Sequence, residues 1–157
     1  MELEKRVGEV AKEITDVAVK AFEVITCLSP ISENALLKHL GDAVMVVVHE
    51  LAHEAIHSAY PELDTLYERD PVLGECASEV GARMLEVYVL KKIGARAHSF
   101  EELALELEGY ARLRGVCWSA SVLQELYVRA EALLERMELR EFMGVVVREC
   151  ERVLKEK

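Results

Sequence analysis

His49-Glu50-Leu51-Ala52-His53-Glu54-Ala55-Ile56-His57 holds three of the five histidines in the chain and contains the pattern H-E-x-x-H twice, overlapping at His53. Whether this stretch is helix or strand decides the fold, because the run leading into it, Val44-Met45-Val46-Val47-Val48, is β-branched enough for a strand. Nothing separates that run from the histidines and no second strand-like run is available to pair with it, so the whole segment reads as buried helix. Each four-residue step along a helix turns by about 40° and rises about 6 Å, which winds His49, His53 and His57 slowly along one side. Two neighbours in this stripe can hold one metal ion. All three can do so only with difficulty, since His49 and His57 lie about 12 Å apart along the axis and Zn–N bonds are about 2 Å.

Working outward, Pro61 ends this central helix and Asp42 reads as its N-cap, giving a span of 43–59. Upstream, Ser32 can cap a short helix through Leu36, Leu37 and Leu40 that Gly41 closes. Before Ser29-Pro30, the residues Val7, Val10, Ile14, Val17, Ala18, Ala21, Phe22 and Ile25 recur at three- and four-residue steps, the pattern of an amphipathic helix over 3–27. Downstream, 61–70 reads as a looser stretch. Asp70-Pro71 then opens a helix that runs to Ile93 and stops at Gly94. Ser99-Phe-Glu-Glu102 is a capping box for a helix that reaches Arg114 and breaks at Gly115. Ser121-Val-Leu-Gln124 opens another, with a bend expected near Met137 or Gly144. The expected fold is all-α: a single-domain bundle of six or seven helices over 1–157, with the H-E-x-x-H helix packed against a glutamate-bearing helix.

The 157 residues suffice for a core that needs no disulfide or metal to fold. A net charge of −10 repels both a nucleic-acid backbone and an anionic membrane surface, so neither is an expected partner. The longest strongly apolar run, 43–48, is far too short to cross a bilayer, and the charged start Met1-Glu-Leu-Glu-Lys-Arg does not read as a secretory signal; a cytoplasmic protein is expected. Cys27, Cys76, Cys117 and Cys150 stand singly with no C-x-x-C pair and read as buried free thiols. Asn34 and Gln124 are the only side-chain amides in a chain that is 31% charged, a bias found in proteins from very hot environments.

H-E-x-x-H works as a metal motif because residues four apart present two imidazoles to one ion, while the glutamate beside the first reaches a water on that ion and takes its proton. A third donor must come from elsewhere. Glu75 and Glu79, also four apart, project from one face of the next strong helix. One could bind the metal and the other accept a hydrogen bond from the far nitrogen of a histidine donor.

His49-Glu-Leu-Ala-His53 followed by Gly74-Glu75-Cys-Ala-Ser-Glu79 resembles the gluzincin (thermolysin-like) zinc metallopeptidases over residues 46–80. The resemblance implies one Zn²⁺ per chain held by His49, His53 and Glu75, with Glu50 as general base and Glu79 orienting a histidine. It implies a peptide or protein substrate as well. It also asks for a residue to steady the oxyanion of the intermediate, for which Tyr67 is the candidate, with Tyr60 and His98 behind it. The β-strand that holds substrate in that family has no counterpart in this sequence. In the alternative register His53 and His57 are the donors and Glu54 the base; the apolar lead-in Val46, Val47 and Val48, which would bury the first donor, favours His49 and His53. Two rival readings use the same residues: a non-catalytic helical module with a structural zinc, and a ferritin-like di-iron bundle built on the E-x-x-H pairs Glu50/His53 and Glu54/His57. His39 and His98 stand alone and read as surface or satisfied histidines, and Glu101 to Glu108 as an exposed helix face.

Overall fold

The computed structural model describes the backbone of residues 1–114 and 120–155 and the side chains of 1–108 and 123–155. Among the described residues seven helices follow one another: α1 Glu2–Leu28, α2 Glu33–Ala59, α3 Glu62–Arg69, α4 Pro71–Lys92, α5 Phe100–Arg114, α6 Ala120–Arg136 and α7 Leu139–Lys155. The described residues contain no strand. The valine run is helical, as the absence of a pairing partner required.

The chain divides into two compact units, Met1–Val44 and Met45–Lys157. The first comprises α1 and the start of α2, and none of its residues is fully buried. The α1 stripe Val7, Val10, Ile14 and Val17 is exposed. The second unit holds the core, with Ile56, Leu63, Met84, Leu90, Leu103, Leu107, Leu126, Phe142, Met143 and Val146 all but sealed from solvent.

Two local expectations are corrected, and a choice between two places for a bend is resolved. Gly41 and Asp42 do not divide α2, because Gly41 has no positive φ; the left-handed turn that would close a helix there is absent and helical backbone simply continues. The stretch after Pro61 is helix α3, whose first turn carries Glu62 and Asp64 and whose last carries Arg69, the charge order a helix dipole favours. The break near the end of the chain falls at Met137-Glu138, and Gly144 lies inside α7. The expected stop at Gly115 falls outside the described residues, and Ser121 lies within α6, one residue after its start.

The other punctuation behaves as the residue types dictate. Asp70 is a one-residue corner: its N–H closes α3 on the Leu66 carbonyl (2.7 Å), and its side chain accepts from the Leu73 N–H (3.1 Å) to open α4. Gly94 takes the left-handed φ of 73° after α4. Ser99 accepts from the Glu102 N–H (3.2 Å) to cap α5.

Helix α4 is the centre of the second unit. Fourteen of its 22 residues are buried, and it packs against α3, α6 and α7. Small side chains make this possible. A Cβ on Gly74 would stand 2.9 Å from the Tyr67 Cα on α3, and one on Gly81 would stand 2.6 Å from the Met143 Sδ on α7, with Ile56 of α2 close behind at 3.5 Å. Glycine at these two places therefore sets how closely the neighbouring helices approach the α4 face that carries Glu75, Glu79 and Glu86.

Cys76 on α4 and Cys150 on α7 are buried free thiols, whereas Cys27 is free but exposed because α1 buries nothing. Contact with Cys76, and then burial, push the Cys150 thiol up, which keeps it protonated and unreactive. Cys117 lies outside the described residues. No described helix is long and apolar enough to cross a membrane.

Candidate metal centre

His49 and His53 stand one turn apart on the buried side of α2, and α4 brings a carboxylate to both. Glu79 Oε1 lies 3.2 Å from His49 Nε2, Glu79 Oε2 lies 3.2 Å from His53 Nε2, and the two Nε2 atoms are 3.1 Å apart. His49 and Glu79 are buried, and His53 is partly so. Among the described residues these three form the one group able to hold a metal ion.

The carboxylate brought to the histidines is thus Glu79 and not Glu75. Glu75 sits in the first turns of α4, opposite α3, and accepts a hydrogen bond from the Tyr67 hydroxyl (2.9 Å). Burial and this hydrogen bond push the Tyr67 phenol up to about 12, so it remains an O–H donor. The valine lead-in does not bury His49 either, since Val46 and Val47 point to solvent; His49 is covered by its α4 neighbours. Glu50 is exposed, and His57 is held away from Glu79 by its own partners.

Burial raises the Glu79 carboxyl, but hydrogen bonds from His49 and His53 and the Arg83 charge outweigh it and hold the group well below the usual carboxylate range. Glu79 is an anion. Arg83 Nε reaches its Oε1 at 3.2 Å.

The donor set fits a metal in chemistry and size. Two imidazoles and one carboxylate match the His₂Glu set of catalytic zinc, and tetrahedral bonds of about 2.0–2.1 Å place donors about 3.3–3.4 Å apart, close to the spacing found. The outer nitrogens add a second test. His53 Nδ1 meets Ser78 Oγ at 3.1 Å, Ser78 Oγ meets His57 Nε2 at 3.3 Å, and His57 Nδ1 meets Asp64 Oδ1 at 3.1 Å. For neutral rings this chain has one consistent direction. The Asp64 carboxylate only accepts, so His57 carries its proton on Nδ1 and presents a lone pair at Nε2. Ser78 donates its single proton there and must accept from His53 Nδ1–H. In that direction His53 Nε2 presents a lone pair that an ion, or the His49 N–H 3.1 Å away, can meet, whereas a His53 ring with its proton on Nε2 donates to Glu79 instead.

The described structure supplies a single such group, on one turn of α2 and one residue of α4, rather than E-x-x-H pairs on two helices as a di-iron bundle requires. Beside it opens a cleft of about 390 Å³ lined by His53, Glu54, His57, Tyr67, Glu75, Ser78 and Glu79. Every residue named as a candidate in either register lines the cleft or the donor group, except Glu50; of the two runners-up to Tyr67, His98 faces Glu86 and Glu106 and Tyr60 lies under Arg140. Ser78 was missed by sequence reasoning, although its place three residues after Glu75 puts it on the same face as that glutamate.

Comparisons with family models, with curated proteins and with solved structures gave no match.

Proposed function

We propose that the protein is a small helical zinc hydrolase that cleaves peptide bonds, similar to gluzincins in its donor set but built without a substrate-holding strand. The observation that carries this reading is a three-donor group of two histidines and a glutamate beside an open cleft. Structural zinc sites are closed by four protein donors, whereas catalytic ones keep a position open.

A zinc ion held by His49, His53 and Glu79 supplies a Lewis acid and an acidified water. The chain's own residues do the rest. Glu54, exposed like Glu50, is the α2 carboxylate that lines the cleft, and it takes the general-base role that the first register gives to Glu50, which does not line it. It accepts a proton from water in the cleft and returns it to the leaving amine. Tyr67, kept protonated, offers an O–H to the oxygen of the scissile carbonyl when Glu75 releases it. Ser78 and His57 hold the His53 ring in the orientation described above.

Zinc-loaded protein should cleave an unstructured, internally quenched peptide library, and Glu54→Gln should abolish cleavage while retaining zinc. Cleavage that survives in Glu54→Gln and is lost in Glu50→Gln returns the base to Glu50. Zinc bound at one per chain with no peptide cut by wild type moves the site to the structural class.

A further inference from the structure

Glu86 is the most unusual charged residue in the fold. It sits on α4 two turns beyond Glu79, is completely sealed from solvent, and its Oε1 has no hydrogen-bond partner among the described residues. Leaving a buried carboxylate oxygen unpaired is unfavourable, because its lost hydration is not replaced, so such an atom calls for a reason. The second orphan lies opposite. His49 Nδ1 is also buried without a hydrogen-bond partner, and it faces Glu86 Oε1 at 3.9 Å.

An acceptor and a potential donor that lack partners, separated by less than 1 Å beyond hydrogen-bond range, point to a contact made in another state of the site. When Nε2 of His49 gives its lone pair to a metal, the neutral ring carries its single proton on Nδ1. That proton then points at Glu86. Nothing else among the described residues pairs with His49 Nδ1.

We infer that Glu86 is a positioning residue for the metal centre, accepting a hydrogen bond from His49 Nδ1 when the ion is bound, an inference that rests on the reading of His49, His53 and Glu79 as donors. Each donor histidine then has its own outer partner: Ser78, with His57 and Asp64 behind it, for His53, and Glu86 for His49. The buried charge is compensated from the other side. Arg83 Nη1 lies 3.5 Å from Glu86 Oε2 and His98 Nδ1 lies 3.7 Å from the same oxygen. Arg83 and His98 both pair with Glu106 of α5, at 3.1 Å each. The apparently solitary His98 thus ties α5 to the back of the metal centre, and the exposed acidic face of α5 supplies Glu106 to that network.

The test uses the full-length chain, Zn²⁺ and a competing chromogenic chelator, with Glu86→Gln chosen because it keeps the buried volume. Removing an outer partner of a ligand histidine lowers metal affinity about 10–100-fold, and Glu86→Gln should weaken zinc binding within that range. Val146→Ala, a core change on α7, should lower Tm and leave zinc affinity unchanged, which separates positioning from mere destabilisation. If Glu86→Gln does not fold, ¹⁵N-histidine NMR of the wild type decides: zinc loading should give His49 a slowly exchanging Nδ1 proton. Wild-type affinity in Glu86→Gln, or a His49 ring that binds zinc through Nδ1, overturns the role of Glu86 while the donor site stands. Undiminished zinc binding after His49→Ala overturns the donor reading itself.

Discussion

His49 and His57 are each four residues from His53, yet the two halves of the motif have opposite surroundings. The upstream half is buried against α4, where His49 meets Glu79 at 3.2 Å and faces Glu86. The downstream half faces the cleft, where His57 is engaged by Ser78 and exposed Asp64 and lies beside the Tyr67 ring at 6.4 Å between centroids. On the proposed reading one half supplies a metal donor and the other an outer support, and the difference is made by depth against α4 rather than by anything within α2.

The sharpest way to break this contrast is to remove each outer histidine in turn. His49→Ala should reduce Zn²⁺ affinity well beyond the roughly 10–100-fold that an outer partner is worth, whereas His57→Ala should stay inside that range. Chelator competition measures both, and the reverse order would make the downstream register the metal site. Ser78→Ala cuts the link between the halves. It should weaken zinc binding by about 10-fold, through loss of the acceptor that fixes the His53 tautomer, and the His53 Nδ1 proton should disappear from the NMR spectrum.

Next in size are the contacts that set helix depth. Gly74→Ala should destabilise the fold by about 1–3 kcal/mol in urea unfolding, because the new Cβ meets Tyr67 backbone that cannot move aside. Gly81→Ala should cost less, since the atoms it meets are the flexible end of Met143.

Most of the fold class was legible in the sequence because helix punctuation is local: Asp70-Pro71, Gly94 and Ser99 act within a turn of where they stand. Gly41 misled because a glycine permits a stop without requiring one. At the site, His49 and His53 were legible from their spacing. Glu75 and Glu79 have the same spacing and share a face, so no pattern within α4 could say which one reaches α2. That choice follows from the close approaches at Gly74 and Gly81, which are tertiary. Glu86 left one signal, a lone charge inside Met84-Leu85-Glu86-Val87, and its partners Arg83 and His98, with the Glu106 that pairs with both, are distributed over three segments of the chain.

The smallest effect concerns the downstream half alone. A tyrosine whose pKa is raised on folding contributes stability that is complete below its unfolded value of 10.0 and is lost as pH rises through about 12. In alkaline titration of phenolate absorbance the last ionisation should belong to Tyr67, and Tyr67→Phe should remove that step without altering zinc affinity.

The central claim is that one ion is held by His49, His53 and Glu79. Anomalous diffraction at the zinc edge from crystals of zinc-loaded protein tests it most directly. The account predicts one peak per chain bounded by His49 Nε2, His53 Nε2 and a Glu79 oxygen; a peak on His57 or Glu75, or none at full zinc loading, would contradict it.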